Sequence, residues 1–197
     1  MPSAQAPAPV RQLFGGAISA SVPVGYIDAS RIRDVPDHQE VFIDTATDSS
    51  FIVELLEPQD LSMDIHSAAR QHLEQLARDN EATSDGCTII SERDISDSLL
   101  SSSISGAKAV VISSTQCISK YNEAGDDAKN TVGIYMGLIQ LGRVSTDVLI
   151  TFNQTLNMGV ESSSRLQFGG ETDSVLSLEL FIEMLCQFQM NDWGLFG

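Results

Sequence analysis

The stretch that most constrains the fold is Thr131 to Leu141, TVGIYMGLIQL, because it is apolar on both alternations. Val132, Ile134, Met136 and Leu138 fall on one side, and Tyr135 and Ile139 on the other. Successive residues of a strand point to opposite faces, so a strand of this kind needs cover on both. Lys108 to Ser119 and Asp147 to Asn153 read as strands too, and a short GRVST connection before the latter makes an antiparallel pair the economical arrangement. Two amphipathic helices are available as covers. Leu61 to Asn80 sets Ile65, Ala68 or Ala69, His72, Leu73 and Leu76 on one face, with Asp60 or Ser62 as its cap. A C-terminal helix, capped by Thr172 or Ser174, sets out Val175, Leu178, Ile182, Leu185 and Phe188. The predicted class is α+β: a three-layer α/β/α sandwich with a mostly antiparallel central sheet of about six strands and helices on both faces.

The N-terminal third supplies the other strands. Residues 1–12, with three prolines and no periodicity, read as a disordered tail, leaving 13–197 as a single domain. LFGGAIS is a first strand, Ala29 to Val35 a short helical turn capped by Asp28 or Ser30, and Glu40 to Asp44 a second strand. After the polar TATDSS loop, Ser50 to Leu56 is a third strand, ended by Pro58. Cys87 to Ser91 reads as a short strand, Glu92 to Ser103 as a weak helix through Ile95 and Leu99, and 154–171 as a loose polar connection. Between Leu13 and Glu57, Asp28, Asp34, Asp37, Glu40, Asp44, Asp48, Glu54 and Glu57 stand against only Arg31 and Arg33. Strands this acidic must bury one side and show water the other, which makes that side a candidate docking surface.

Charge narrows the partners. Eleven Lys plus Arg against 27 Asp plus Glu leave a formal charge of −16 at pH 7. Nucleic-acid affinity needs cations to neutralise phosphates, and anionic membranes repel such a chain. Basic partners are attracted instead. No apolar run approaches the roughly 20 residues that span a bilayer, and no basic-then-apolar leader opens the sequence. Three widely spaced cysteines, Cys87, Cys117 and Cys186, read as free, buried thiols of a reducing compartment. A soluble, intracellular protein is expected.

Bond-making chemistry finds little support. His66 and His72 are six apart, not the four of a helical metal pair, and His72 falls on the apolar face as a satisfied core residue. Gly15-Gly16 and Gly169-Gly170 lack the context of a phosphate cradle, and the serine runs at 101–103 and 162–164 lack a nucleophile elbow. The expectation is no enzyme, no cofactor and no metal. Trp193 and Phe196 are expected to pack back onto the core.

With these segments laid out, the chain resembles the MOG family, the Ran guanine-nucleotide release factors. The resemblance is carried by LFGGAISASVPVGYIDAS, VPDHQEVF, FIVELLE, the AARQHLEQL helix, TDVLITFNQ and the terminal DWGLF, in family order. It implies a PsbP-like fold, binding to the small GTPase Ran and promotion of nucleotide release in support of nuclear import. It also implies a monomer present in nucleus and cytoplasm. The family's acidic pair falls on Glu54 and Glu57 here; Asp37 and Glu40 extend the patch, and Asp34 is a weaker extension. Arg31 departs from the pattern by standing where some relatives have an acid, and 154–171 does not match closely. Glu54 and Glu57 share a surface only if the strand ends or bulges near Leu55–Leu56, since residues three apart in a strand point oppositely. The alternative is a PsbP-like adaptor or scaffold with no effect on nucleotide.

Overall fold

The computed structural model describes residues 8–58, 60, 62–82, 86–119, 129–157 and 176–197. Among them are ten strands and two α-helices. The strands are β1 (Val10–Leu13), β2 (Ile18–Ser21), β3 (Ile27–Asp28), β4 (Gln39–Asp44), β5 (Ser49–Leu56), β6 (Cys87–Ile95), β7 (Lys108–Ser119), β8 (Lys129–Leu141), β9 (Thr146–Asn157) and β10 (Gln189–Met190). The helices are α1 (Ile65–Asp79) and α2 (Leu178–Cys186). Seven strands form one antiparallel sheet in the order β3-β4-β5-β9-β8-β7-β6, and β1-β2-β10 form a second, small antiparallel sheet.

The doubly apolar strand lies where its pattern requires, with β8 held between β7 and β9. Its even-numbered residues Ile134, Met136 and Leu138 pack with Val110, Ile112 and Leu149 under Ile65, Ala69 and Leu73 of α1. Ile139 and Leu141 face the other way, into a core shared with Val111, Ile150, Phe152 and the α2 residues Phe181, Met184 and Leu185. Leu13, Ile18, Ala20 and Met190 join that core, so α2 shares its layer with the small sheet. Each fully buried side chain of this size contributes about 1.5–3 kcal/mol from leaving water. Gly137 of β8 lets α2 sit close, because a Cβ there would lie 2.0 Å from Leu185 Cδ1.

The α+β architecture with helices on opposite sheet faces is as expected; several boundaries are not. The expected tail 1–12 overlaps β1, which is ordered from Val10 because it pairs with β2. Arg11 also stacks 5.1 Å from the Phe42 ring centroid and donates to the Tyr26 carbonyl at 2.6 Å. LFGGAIS is not one strand: a 3-10 turn at Phe14–Gly16 bends it into β1 and β2, with Phe14 and Gly15 at positive φ. The helix expected from Leu61 starts at Ile65, because the Asp64 carboxylate, rather than Asp60 or Ser62, accepts from the backbone N–H groups of His66 and Ser67. Ser177 caps α2, accepting from Leu180 N; Thr172, Ser174 and Val175 lie outside the described residues. Phe188 is fully buried but lies beyond the end of α2. The weak helix expected over 92–103 is replaced by the second half of β6, whose ladder runs from Cys87 to Ile95 across a bulge near Ile89–Ser91. Likewise β9 continues to Asn157, into what reads as loose connection. Trp193 and Phe196 do pack back, half-buried, with Arg143 4.7 Å above the indole. The cysteines are free and half-buried rather than buried.

Candidate functional site: an acidic sheet end

The acids of the N-terminal third divide according to what their carboxylates already hold. Asp28 caps the 3-10 turn Ala29–Arg31 by accepting from Ser30 N at 2.8 Å, and the hydrogen bonding from Ser30 holds its carboxyl below the usual range. Asp44 closes the β4–β5 hairpin, accepting from Ala46 N at 2.9 Å and from Thr47 Oγ1 at 2.8 Å. Both use their charge locally, as short acidic side chains do at turns.

Glu40 is also committed. Its Oε1 accepts from Phe14 N at 2.6 Å, tying the bent N-terminal segment to β4. Directly paired residues on neighbouring strands share a face, so Glu40, opposite Val53, lies on the α2 side of the large sheet with Phe42 and Phe51. Glu54 lies on the other side. It pairs with Gln39 on β4 and Leu149 on β9, and Leu149 belongs to the core under α1. The two glutamates therefore do not share a surface.

Glu54, Glu57 and Asp37 are brought to one end of the sheet. Glu54 is half-buried, and its Oε1 accepts from Gln39 Nε2 at 2.6 Å, which fixes the carboxylate. The β5 ladder ends at Leu56, so Glu57 is released from strand alternation one residue before Pro58 and is exposed. The His38 carbonyl accepts from Leu55 N at 2.9 Å, seating the turn that carries exposed Asp37 beside the end of β5. Asp34 is exposed further along the same connection, near the exposed Arg31 and Arg33. Pro36 and Pro58, one on each side of this corner, keep the connections out of the ladder. A fixed carboxylate flanked by exposed ones can pair with Lys or Arg of a partner, and each buried, hydrogen-bonded pair is lost at a cost of about 2–5 kcal/mol when one side is truncated.

Sequence reasoning placed His72 in the core but missed what satisfies it. His72 Nε2 lies 3.0 Å from Asp147 Oδ2, and both side chains are buried. The available signal was an acid at the start of an otherwise apolar strand. Among the described residues no group of three or more His, Cys, Asp or Glu is arranged to hold a metal ion, and no helix is long and apolar enough to cross a membrane.

What these elements define is a three-layer α+β protein that presents carboxylates at one end of a central antiparallel sheet. Comparison with known proteins assigns its kinship. The family described as Ran-interacting Mog1 protein matches residues 11–155. A probable Ran guanine nucleotide release factor of Dictyostelium discoideum is 36% identical over 94% of this chain and 95% of its own length. The Ran guanine nucleotide release factor of Danio rerio is 38% identical, over 95% and 99%. The nuclear import protein MOG1 of Saccharomyces cerevisiae is 31% identical, over 94% and 84%. The crystal structure of the Saccharomyces cerevisiae Ran-binding protein Mog1p superposes with a TM-score of 0.68 at 29% identity, covering 96% of this chain and 98% of that one. The chain belongs to the Mog1 family.

Proposed function

We propose that this protein binds the small GTPase Ran through the acidic sheet end and promotes release of its guanine nucleotide, in support of nuclear protein import. Family membership carries the activity: relatives that match nearly the whole chain are named Ran guanine nucleotide release factors and a nuclear import protein. The local support is the convergence of Asp37, Glu54 and Glu57 at the end of β5, with Asp34 at its margin. Glu40 serves chiefly to hold the fold, since its carboxylate engages Phe14 N on the opposite face. The protein acts as a monomeric regulator, in nucleus and cytoplasm, without bond-making chemistry. It favours the form of Ran in which nucleotide is loosened, and by thermodynamic reciprocity the nucleotide's affinity falls by the factor by which the protein's affinity rises.

The test is release of a fluorescent guanine nucleotide from Ran, with wild-type protein and with Glu54→Lys/Glu57→Lys, at low and high salt. Wild type accelerates release and salt weakens the effect, because rim charges act through a screened field. The double reversal keeps the fold, losing the Gln39–Glu54 hydrogen bond at about 0.5–1.5 kcal/mol, and abolishes both binding and acceleration. An unchanged dissociation constant for the double reversal would refute the assignment of the surface. Binding without acceleration would refute the release activity and leave an adaptor.

A further inference from the structure

Lys108, the first residue of β7, is a cation without a carboxylate. Among the described residues Arg70, Arg78 and Arg93 each lie within 4.0 Å of a glutamate oxygen, whereas no described acid of this negative chain lies that close to the exposed Lys108 ammonium. Lys108 pairs with Gln140 of β8, Gln140 with Asp147 of β9, and Asp147 with Leu56 of β5. Direct partners share a face, so these four residues form one row across the sheet end, on the α1 side where Glu54 also stands. Neighbouring strands lie about 4.8 Å apart, which sets Lys108 about 14 Å from Leu56 and the acidic corner beyond it. Between them is a cavity of about 200 Å³, lined by Pro58, Met63, Lys108, Gln140, Ser145 and Asp147 among others. Asp147 offers this cavity no accessible acceptor, being 1% exposed with its Oδ2 held 3.0 Å from His72 Nε2. The polar side chains left to meet an occupant include the Lys108 ammonium, the Gln140 amide and the Ser145 hydroxyl, all able to donate.

We infer that the cavity receives a carboxylate side chain, aspartate or glutamate, of the protein partner, whose oxygens accept from Lys108 Nζ and from the Gln140 and Ser145 side chains. Resting on the proposed function, this makes the partner the GTPase and gives the docking surface a second pole of opposite sign. A singly charged carboxylate matches the single cation on the wall, whereas a phosphate would bring surplus negative charge against a chain of formal −16. The same field keeps free anions away. A carboxylate carried on a partner already engaged at Glu54 and Glu57 is presented intramolecularly instead, at a raised effective concentration. Pro58 and Met63 exclude water from the new pair, which strengthens it. The Asp147 charge opposes an anion, but it is paired with His72 and lies two strands, about 10 Å, from Lys108. Acids alone would attract any basic surface. An acidic and a basic pole about 14 Å apart select a partner with the opposite pair at that separation, and like-charge contact rejects the reversed docking.

The sign of a charge change decides the matter. Binding is measured with nucleotide-free Ran in phosphate-free buffer, then repeated with GDP-loaded Ran. Lys108→Met is expected to weaken binding to both about tenfold and Lys108→Glu to weaken it further, while both variants melt like wild type because the side chain is exposed. Long-range charge alone predicts the reverse, since a more acidic chain attracts a basic surface more strongly. Unchanged or tighter binding by Lys108→Glu therefore overturns the inference. Weakening confined to GDP-loaded Ran would assign the anion to the nucleotide's phosphates and overturn it equally. In the wild-type complex a zero-length carbodiimide should join Lys108 Nζ to an Asp or Glu of Ran as an amide, identified by mass spectrometry, and a complex that forms without this link also overturns it. If wild-type protein fails to bind Ran at all, the proposed function falls and this inference with it, whereas Ran binding that survives the Lys108 substitutions removes only the role of the cavity.

Discussion

Gly137→Ala tests the packing of α2 on the central sheet. The added methyl would sit 2.0 Å from Leu185 Cδ1, 3.5 Å from Leu185 Cγ and 3.6 Å from Phe181 Cε1. Only the first of these is impossible, so relief requires Leu185 to change rotamer or α2 to lift. Leu185 is 1% exposed and Phe181 wholly buried, which leaves the displaced methyl no free space. Overpacking of this kind costs about 1–3 kcal/mol. Replacing a strand glycine returns roughly 0.5–1 kcal/mol, because the unfolded chain loses freedom. The net expectation is a loss of about 1–2 kcal/mol, lowering the midpoint of a chain this size by ~2–8 °C. A double-mutant cycle with Leu185→Ala isolates the clash by calorimetry or denaturant melts. Leu185→Ala alone costs about 2–5 kcal/mol, and the pair should cost at least ~1 kcal/mol less than the sum. Strict additivity would refute the argument that Gly137 is where the helix needs room. Ran binding by Gly137→Ala should be unchanged, since α2 and Glu54 lie on opposite faces.

Other consequences are as direct. Ser177→Ala removes the acceptor for Leu180 N and should cost about 0.5–2 kcal/mol in denaturant melts, with faster hydrogen exchange confined to the start of α2. Glu40→Ala leaves Phe14 N without its acceptor, costing about 1–2 kcal/mol and accelerating exchange at Phe14; a large loss of Ran affinity with unchanged stability would reverse the role assigned to Glu40. His66 sits between Glu92, at 3.1 Å, and Asp94, at 2.9 Å, and hydrogen bonding to Glu92 followed by the Asp94 charge raises its pKa above the usual histidine value. Because the folded pKa is the raised one, this clasp of α1 to β6 is fully present below the unfolded value of about 6.5 and is lost as pH rises through the folded value. An NMR titration should find His66 above its ordinary range in wild type and lower in Glu92→Gln; titration at the ordinary value in both would contradict the clasp.

The fold was legible wherever one segment's periodicity settled the matter. The doubly apolar 131–141 run demanded a central strand with two covers, and α1 and α2 supply them on opposite faces. Errors fell where a partner distant in sequence decides. Val10–Gln12 read as tail because nothing local reveals pairing with Ser19–Ser21, and 92–95 read as weak helix because its ladder to 109–112 is non-local. Cap choices failed by a few residues, since Asp60, Ser62 and Asp64 are all competent and only geometry chooses. In the site, alternation alone indicated that Glu54 and Glu57 need a strand end or a bulge between them, and β5 stops at Leu56. The separation of Glu40 from Glu54 was also contained in their even spacing, once paired register sets Glu40 opposite Val53 rather than opposite Glu54. Asp147 was hidden because an acid opening a strand ordinarily reads as a solvated turn residue.

The small sheet has a consequence for how the chain is made. Its middle strand, β2, is bordered on one side by β1, a few residues upstream, and on the other by β10, whose Met190 meets Ile18. Asn191 then reaches back, donating to Ser19 Oγ at 2.6 Å and, through its backbone, to the Ala17 carbonyl at 2.8 Å. During synthesis that edge of β2 therefore stays open until Gln189 and Met190 have emerged, some 170 residues after β2 itself. Such late, non-local closure is slow and leaves an adhesive edge exposed meanwhile. A nascent chain stalled shortly before Gln189 would display that edge unpaired.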